Sequence, residues 1–231
     1  MTGLRLHGYP VSNYVNIVRA DLIEKDLAYE LVITGAASTE PFLTMNPMGK
    51  IPVLEVQGFF LGETVAILEF LDDRYPVRTL RPDDVLVRAR GRQIINVVQM
   101  YVEAPARSLF PGVFMGGVNS DDAVSSARKN LDRAVFALRR LAVPAPFLMG
   151  AGLSQADLFV FYNLDIADRL TRFVFDSSIL EDAGLDQWHA MMATRPSTQA
   201  VLADFETFFV RYLSDKRAAY RAPQSGTPTH A

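Results

Sequence analysis

The stretch from Asn46 to Thr64, NPMGKIPVLEVQGFFLGET, combines features that suit a small anionic ligand. Pro52 stands where an apolar strand begins, and proline is tolerated there because it has no N–H group to give to a strand ladder. We expect this to leave the backbone groups of Ile51 free to pair with an extended ligand. The chain then turns abruptly into a helix, and Thr64 is expected to cap it. The unpartnered N–H groups and the positive dipole end of such a helix favour a carboxylate.

These residues resemble, in order and spacing, the glutathione site of the glutathione S-transferase family. The family pattern is Asn-Pro-x-Gly-x-x-Pro, followed at a helix start by Glu or Gln and then Ser or Thr. This chain has Asn46-Pro47, Gly49, Pro52 and Glu63-Thr64. The resemblance implies a thioredoxin-like N-terminal domain that binds glutathione as a co-substrate, and an all-helical C-terminal domain, without a metal.

The resemblance also implies a role for each matching position. The main chain of Ile51 would pair with the cysteinyl unit of glutathione, with Pro52 in the cis form. Glu63 would hold the γ-glutamyl ammonium group, and Thr64 would hold the carboxylate beside it. Lys50 would meet the glycyl carboxylate, or it is simply a solvated loop lysine.

The chain departs from the family pattern in one place. Members of the serine-type group often carry His or Lys shortly before the Pro-Phe-Leu segment, aimed at the glycyl end of glutathione. This chain has Ala36-Ala37-Ser38-Thr39 there. We therefore expect weaker glutathione binding, or a different thiol.

Ser12 is the candidate for thiolate stabilisation. The chain has no cysteine, so the sulfur would be glutathione's own, and a thiol with a pKa near ~8.5 is little ionised at neutral pH. A hydroxyl that donates to the sulfur at the positive end of a helix lowers that pKa. Ser12 follows Pro10 in a turn before a helix, as in the serine-type transferases, and it could equally cap that helix. Tyr9 and Asn13 are alternative donors, and Asn13 would indicate glutathione-dependent disulfide reduction.

The elements that must position these residues follow from apolar periodicity. Over residues 1–77 the periodicity predicts strands and helices in the order β-α-β and then β-β-α. The first two strands are predicted to be parallel, and Gln57-Gly58 is predicted to form a hairpin turn. Residues 76–82 are bounded by prolines and are predicted to be a linker. Residues 84–221 are predicted to be a helical bundle domain. The expected fold class is therefore α/β plus all-α.

Several local patterns in the second domain predict where helices begin and end. Ser154 and Asp157 form a capping-box pattern before an apolar helix. The predicted helices cover 84–110, with Pro105 kinking or ending part of it, and the regions near 127–141, 179–193 and 197–213, while 111–117 is predicted to be a turn. The tail 222–231 is rich in Pro, Gly, Ser and Thr and is predicted to be disordered.

Composition excludes several function classes. A net charge of −3 over 231 residues gives no indication of a nucleic-acid partner, and the absence of cysteine excludes thiolate metal sites and a cysteine nucleophile. His7 is expected to have no carboxylate or second histidine nearby, so no metal site is expected. We find no signal peptide and no membrane-spanning apolar run, which favours a soluble cytoplasmic protein. A homodimer is implied by the resemblance alone.

The leading hypothesis is a glutathione transferase that adds the glutathione thiolate to a small hydrophobic electrophile, as in detoxification. Tyr101, Phe110, Phe114 and Met115 could line a pocket for the second substrate, or could equally pack in the core. The alternatives are glutathione-dependent disulfide or peroxide reduction, and a non-catalytic binding module with the same fold.

Overall fold

A computed structural model describes residues 3–221. Its N-terminal region holds a four-stranded sheet with strand order β2-β1-β3-β4, in which β1 pairs in parallel with β2 and antiparallel with β3. The elements in chain order are β1 (Leu4–Gly8), α1 (Asn13–Glu24), β2 (Tyr29–Ile33), α2 (Glu40–Met45), β3 (Val53–Val56), β4 (Phe59–Leu61) and α3 (Thr64–Arg74). The parallel pair and the hairpin through Gln57-Gly58 agree with the sequence prediction.

The remainder of the chain is helical. After a short 3-10 turn at Pro76–Arg78 come α4 (Val85–Val98), a π-helical turn (Gln99–Glu103), α5 (Ala104–Arg107), α6 (Phe110–Phe114), α7 (Asp121–Leu141), α8 (Gln155–Phe175), α9 (Ile179–Ala183), α10 (Asp186–Ala193) and α11 (Pro196–Asp215). The fold class is therefore the predicted one, a thioredoxin-like sheet followed by a helical region. No helix within 3–221 is long and apolar enough to cross a membrane.

Three local predictions for the helical region need adjustment. Residues 110–114 form α6, whereas 111–117 was expected to be a turn; Pro111 is tolerated at the start of a helix because the first N–H groups of a helix lack partners anyway. The helix expected over 179–193 is two helices, because Gly184 adopts a φ of 71° and ends α9. The long helix from residue 84 changes to a π-turn immediately before Ala104 and Pro105.

Helix α1 is buried on both sides. Its residues Val15, Val18 and Leu22, which recur at helical spacing, pack against the sheet, while Ile17 and Ala20 belong to the large apolar cluster built from the helical region. Such burial leaves the polar side chains of α1 dependent on partners from both regions.

We propose that residues 1–77 and 84–221 form two domains with the linker between them. The predicted disordered tail, 222–231, lies outside the described residues.

A buried ionic cluster forms where α1, α3 and the linker meet. Lys25 Nζ is paired with Asp72, and Lys25 also donates to the carbonyl of Arg78 at 3.0 Å. Asp72 accepts further hydrogen bonds from the backbone N–H of Leu80 at 2.9 Å and from Gln155 Nε2 at 2.6 Å. Both carboxyl oxygens of the buried Asp72 therefore have donors.

Asp21 lies beside this cluster without donors of its own. Its side chain is fully buried, and neither carboxyl oxygen has a hydrogen-bond partner within the described chain. Burial raises the pKa of Asp21 to about 8, and the charge of Lys25 opposes this only in part, while Asp72 and Glu24 add to it. One ammonium group serves two buried carboxyl groups, so Asp21 carries a proton at neutral pH.

Asp21 should therefore make stability fall as pH rises. Its folded pKa lies above the unfolded value of about 3.9, so its contribution is fully present below about pH 4 and is lost as pH rises towards about 8. Asp21→Asn is expected to flatten this dependence and to raise the midpoint of thermal unfolding by roughly 5 °C or more near pH 9, with little change near pH 4. Thermal melts across this pH range measure it.

Asp72→Asn is the matched control from the same cluster. It leaves the Lys25 ammonium group buried without its carboxylate, so it should destabilise the protein at every pH, by about 3–5 kcal/mol. If Asp21→Asn shows the same pH dependence as the wild type, Asp21 does not carry the buried proton.

Candidate functional site

Sheet topology brings the sequence-predicted residues to one edge. His7 lies opposite Val53, so the end of β1 meets the start of β3, where Pro52 stands. Leu61 lies opposite Leu54, so the end of β4 reaches the same edge. Helix α1 begins shortly after β1 and α3 begins shortly after β4. Two helix N-termini and the Ile51-Pro52 segment therefore share this edge of the sheet.

Ser12 is the N-cap of α1. Its Oγ accepts a hydrogen bond from the N–H of Val15 at 3.4 Å, and its own N–H donates to the carbonyl of Tyr9 at 2.9 Å. The hydroxyl hydrogen is not used by this cap, because the oxygen is the acceptor. Ser12 is half-buried, so the hydroxyl can donate to a ligand placed at the N-terminus of the helix. Capping and thiolate stabilisation are compatible in this geometry.

The two alternative donors have other partners. The side chain of Asn13 is buried; its Nδ2 donates to Asn163 Oδ1 at 2.7 Å, and its Oδ1 accepts from Arg107 Nη2 at 3.0 Å. The ring of Tyr9 packs edge-on against Phe208 with centroids 5.5 Å apart. The Asn13 amide is thus directed into the helical region, and the Asn13 residue is left with its backbone N–H at the helix N-terminus.

The loop before β3 is organised by Asn46. This buried amide donates to the carbonyl of Lys50 at 2.8 Å and accepts from the N–H of Met48 at 3.1 Å. The Ile51–Pro52 peptide bond is cis, as the resemblance implies, and Ile51 makes no backbone hydrogen bond outside the strand ladders within 3–221. The Lys50 side chain is exposed. The loop therefore presents the Ile51 backbone at the edge of the sheet.

Glu63, rather than Thr64, occupies the N-cap position of α3, which corrects the sequence prediction. Glu63 has φ 62° and ψ 111°, its side chain is exposed, and it makes no capping hydrogen bond. Thr64 is the first residue of the helix and is buried. A non-glycine residue in this backbone region costs roughly 1–3 kcal/mol, and such residues cluster at active sites and ligand clamps.

Gly62 lets the loop and the helix start approach each other. A Cβ atom at Gly62 would lie 3.0 Å from the Asn46 amide nitrogen, so a larger residue would push the two segments apart. The same Asn46 amide fixes the carbonyl of Lys50. Ile51-Pro52 and Glu63-Thr64 are consequently held in one fixed arrangement.

A polar network beside Ser12 includes residues that sequence reasoning did not identify. Tyr14 donates its hydroxyl to the buried Glu103 at 3.0 Å, and Glu103 also pairs with Arg107. Burial raises the pKa of Tyr14, and the charges of Glu103 and, less strongly, Glu63 raise it further. The phenol therefore stays protonated, with its hydrogen directed to Glu103. The only local signal in the sequence was Pro105, which marks the irregular helix that carries Glu103 and Arg107.

The four residues suggested to line a second-substrate pocket lie in different environments. Phe114 is in the core, and it packs edge-on against Phe110, with centroids 5.0 Å apart. Tyr101 and Met115 are exposed. Of these four, Phe110 is the one that also contacts the polar network, because the Arg107 guanidinium lies 4.9 Å from its ring centroid.

His7 has a carboxylate partner, contrary to the sequence expectation. Its Nε2 lies 2.8 Å from Glu55 Oε2, and this hydrogen bond, with a smaller contribution from Arg5, lowers the pKa of Glu55. The partners come from neighbouring antiparallel strands, a pairing that residue spacing alone does not reveal. No group of three or more metal-ligating side chains is close enough to hold a metal within the part of the chain described.

Known proteins resemble this chain over both regions. Residues 6–80 match the family model of the glutathione S-transferase N-terminal domain. A glutathione S-transferase of Pseudomonas putida is 31% identical, with 94% of this chain and 100% of the relative covered. A zeta-class glutathione S-transferase of Euphorbia esula is 30% identical over 75% of this chain and 79% of its own length.

A solved structure resembles it as well. A glutathione S-transferase of Rhodospirillum rubrum superposes with a TM-score of 0.71 at 28% identity, covering 86% of this chain and 91% of its own. From these sequence and structural similarities we conclude that the chain belongs to the glutathione S-transferase family.

Proposed function

We propose that the protein is a serine-type glutathione transferase that adds the glutathione thiolate to a small, electrophilic, apolar substrate. The observation that carries this proposal is the position of Ser12, an N-cap with an uncommitted hydroxyl hydrogen, at the sheet edge that also holds Pro52 and Glu63-Thr64. A cytoplasmic setting, where glutathione is kept largely reduced, and a role in detoxification are part of the proposal.

Glutathione would lie across this edge with its sulfur at the start of α1. The backbone of Ile51, before cis Pro52, would pair with the cysteinyl unit. Glu63 would bind the γ-glutamyl ammonium group, and the hydroxyl and N–H of Thr64 would bind the adjacent carboxylate. The exposed Lys50 would reach the glycyl carboxylate. The strained backbone of Glu63 supports a binding role, because nothing in the capping of α3 requires it.

The chemical step would be nucleophilic substitution or addition by the thiolate. The thiol proton passes to water, a carbon–sulfur bond forms, and the electrophile releases its leaving group or takes up a proton. Ser12 would donate its hydroxyl hydrogen to the sulfur, with the backbone N–H of Asn13 and the helix dipole assisting. These groups stabilise the thiolate before the reaction and hold it in position for attack.

The side-chain contacts of Asn13 favour transfer over disulfide reduction. The reductase alternative assigns the sulfur to the Asn13 amide, whose oxygen and nitrogen are already bonded to Arg107 and Asn163. Faster turnover of hydroxyethyl disulfide than of chlorodinitrobenzene would nevertheless reassign the reaction. Failure to bind glutathione at millimolar concentration would indicate a non-catalytic module.

A homodimer is also proposed. The outer face of α4 and the following turn carry a groove of about 520 Å³ whose lining includes Asn96, Val97, Met100 and Tyr101. Met100 is 58% exposed and Tyr101 42% exposed, which is unusual for large apolar side chains that lie side by side. A second copy of the chain would cover them.

Ser12→Ala is expected to raise the pKa of the glutathione thiol towards its free value and to lower kcat/KM by roughly 10- to 100-fold near neutral pH. The deficit should shrink at high pH, where the thiol ionises unaided. Ultraviolet absorbance of the bound thiolate against pH, together with the pH dependence of chlorodinitrobenzene turnover, measures both effects.

Ser120→Ala is the matched control. Ser120 is also an N-cap whose hydroxyl accepts from a backbone N–H three residues on, at 3.2 Å, but it caps α7. Ser120→Ala should lower the free energy of unfolding by about as much as Ser12→Ala does, about 1 kcal/mol or less, without changing the pKa of the glutathione thiol. An unchanged thiol pKa in Ser12→Ala would move the donor role to a backbone N–H or to Tyr9.

Two substitutions of Glu63 should separate backbone strain from glutathione binding. Glu63→Gly removes the side chain and relieves the positive φ, so it should raise stability by about 1 kcal/mol while it raises KM for glutathione about tenfold or more. Glu63→Gln keeps the strained residue and removes the charge, so it should raise KM without a gain in stability. A gain in stability with an unchanged KM would remove Glu63 from the site.

Met100→Glu should dissociate the proposed dimer, because it buries a charge in the interface. Light scattering after size exclusion should give a mass near 25.7 kDa for the variant and roughly twice that for the wild type. Val210→Glu, at a residue of similar exposure on α11, is the control and should leave the mass unchanged. A monomeric wild type would contradict the proposal.

A further inference from the structure

The first residue of α1 is bonded to the helical region through a directed chain of hydrogen bonds. Asn163 Nδ2 donates to the carbonyl of Phe159 at 2.8 Å, which leaves Asn163 Oδ1 as the acceptor for Asn13 Nδ2 at 2.7 Å. Asn13 Oδ1 in turn accepts from Arg107 Nη2 at 3.0 Å. Each link in this chain pairs one donor with one acceptor.

Arg107 determines which way the Asn13 amide faces. A guanidinium group has only donors, so it requires the oxygen of the amide. Turning the amide over would set its NH₂ group against the guanidinium and its oxygen against Asn163 Oδ1. The Asn13 amide is buried, so water cannot compensate for such a mismatch. Asn13 follows Ser12 in the chain, so the hydrogen bonds of the Asn13 side chain anchor the start of α1.

Arg107 is itself held in place from two sides. It pairs with Glu103 one helical turn earlier, and its guanidinium carbon lies 4.9 Å from the ring centroid of Phe110 and 5.7 Å from that of Tyr14. Glu103 is buried in the π-helical turn and also accepts from the Tyr14 hydroxyl. The carboxylate end of the ion pair thus faces Tyr14, and the guanidinium end faces Asn13.

We propose that Arg107 is a positioning residue for the thiolate of the proposed transferase: through Asn13 it orients the N-terminus of α1, and its charge favours the ionised sulfur there. This inference rests on the proposed function. The ion pair is neutral as a whole, but its guanidinium group is hydrogen-bonded to Asn13, the residue that follows Ser12, whereas its carboxylate accepts from Tyr14. The side chain of Arg107 is 47% exposed, whereas that of Glu103 is 6% exposed, so the positive end also faces the open side of the network.

Titratable groups from three other elements lie around Arg107. Burial raises the pKa of Tyr14 on α1, and the charge of Glu63 at the start of α3 raises it further. Burial raises the pKa of Tyr212 on α11, while the charge of Arg107 lowers it and Tyr9 raises it. None of these side chains can carry a positive charge, so Arg107 supplies the cationic charge of the set.

The test compares substitutions that change the charge in opposite directions. Arg107→Ala removes the cation and should raise the pKa of the bound glutathione thiol by roughly half a unit to one unit. Its kcat/KM for chlorodinitrobenzene should fall about three- to tenfold near pH 6.5 and approach the wild-type value near pH 9. Glu103→Gln keeps Arg107 and removes the opposing charge, so it should lower the thiol pKa. Arg107→Lys should restore much of the wild-type pH profile.

Arg128→Ala is the matched control. Arg128 is 44% exposed, pairs with Asp132 four residues away and stacks 5.2 Å from the ring centroid of Phe175, but it lies on α7. It should leave the thiol pKa and the pH profile unchanged. The readouts are thiolate absorbance, the pH profile of kcat/KM, and KM for glutathione, which should change less than kcat.

The outcomes distinguish this inference from the proposed function. If Arg107→Ala and Glu103→Gln shift the thiol pKa in the same direction, or lower kcat/KM equally at all pH values, Arg107 has a merely structural role. If Ser12→Ala raises the thiol pKa and Arg107→Ala does not, the inference is overturned and the proposed function stands. If the wild type binds no glutathione, both are overturned.

Discussion

Burial of α1 on both sides is the constraint on which the rest of the structure depends. One side packs on the sheet and the other on the helical region, so the buried polar side chains of the helix depend on partners within the protein. Apart from Asp21, these side chains have such partners, several of them far along the chain. Glu24 accepts two N–H groups of Arg195 at 2.8–3.0 Å, Arg19 pairs with Asp204, and Asn13 bonds to Asn163. These contacts hold the N-terminal region against the helices and, with it, the start of α1.

The same arrangement explains why the candidate site lies at the start of α1. A helix held along its length has a fixed N-terminus, and a fixed N-terminus directs its free N–H groups and its dipole at one point. Ser12 adds a hydroxyl at that point, and the cis-proline loop and α3 meet it because the antiparallel β3 begins where β1 ends. Donors that are already oriented need no reorganisation when a thiolate binds, so the packing of α1 contributes directly to the proposed chemistry.

The sequence predicts what is determined locally and misses what is determined by packing. The Ser12 cap, the Gln57-Gly58 hairpin turn and the strand start at Pro52 each depend on a few adjacent residues, and the structure agrees with all three. The hydrogen bonds from Arg107 to Asn13 and between His7 and Glu55 form only when distant segments meet, and no periodicity or motif indicates those pairs. The candidate site could therefore be located from the sequence, whereas the network that supports it could not.

Local rules are broken at three places in the structure, each at a cost in stability. A charged residue with a positive φ at position 63, a carboxyl group without donors at position 21 and a π-helical turn at 99–103 are all unfavourable when considered alone. The positive φ of Glu63 and the π-helical turn border the candidate glutathione site. There the strained backbone of Glu63 and the buried carboxylate of Glu103, which the π-helical turn carries, have a use. Asp21 lies at the other end of α1, beside the linker, and has no partner at that site. The free-energy cost of burying Asp21 is better explained by the ionic cluster with Lys25 and Asp72. Because α1 is buried on both sides, water cannot solvate the charged groups at its end, and they must balance one another within the protein.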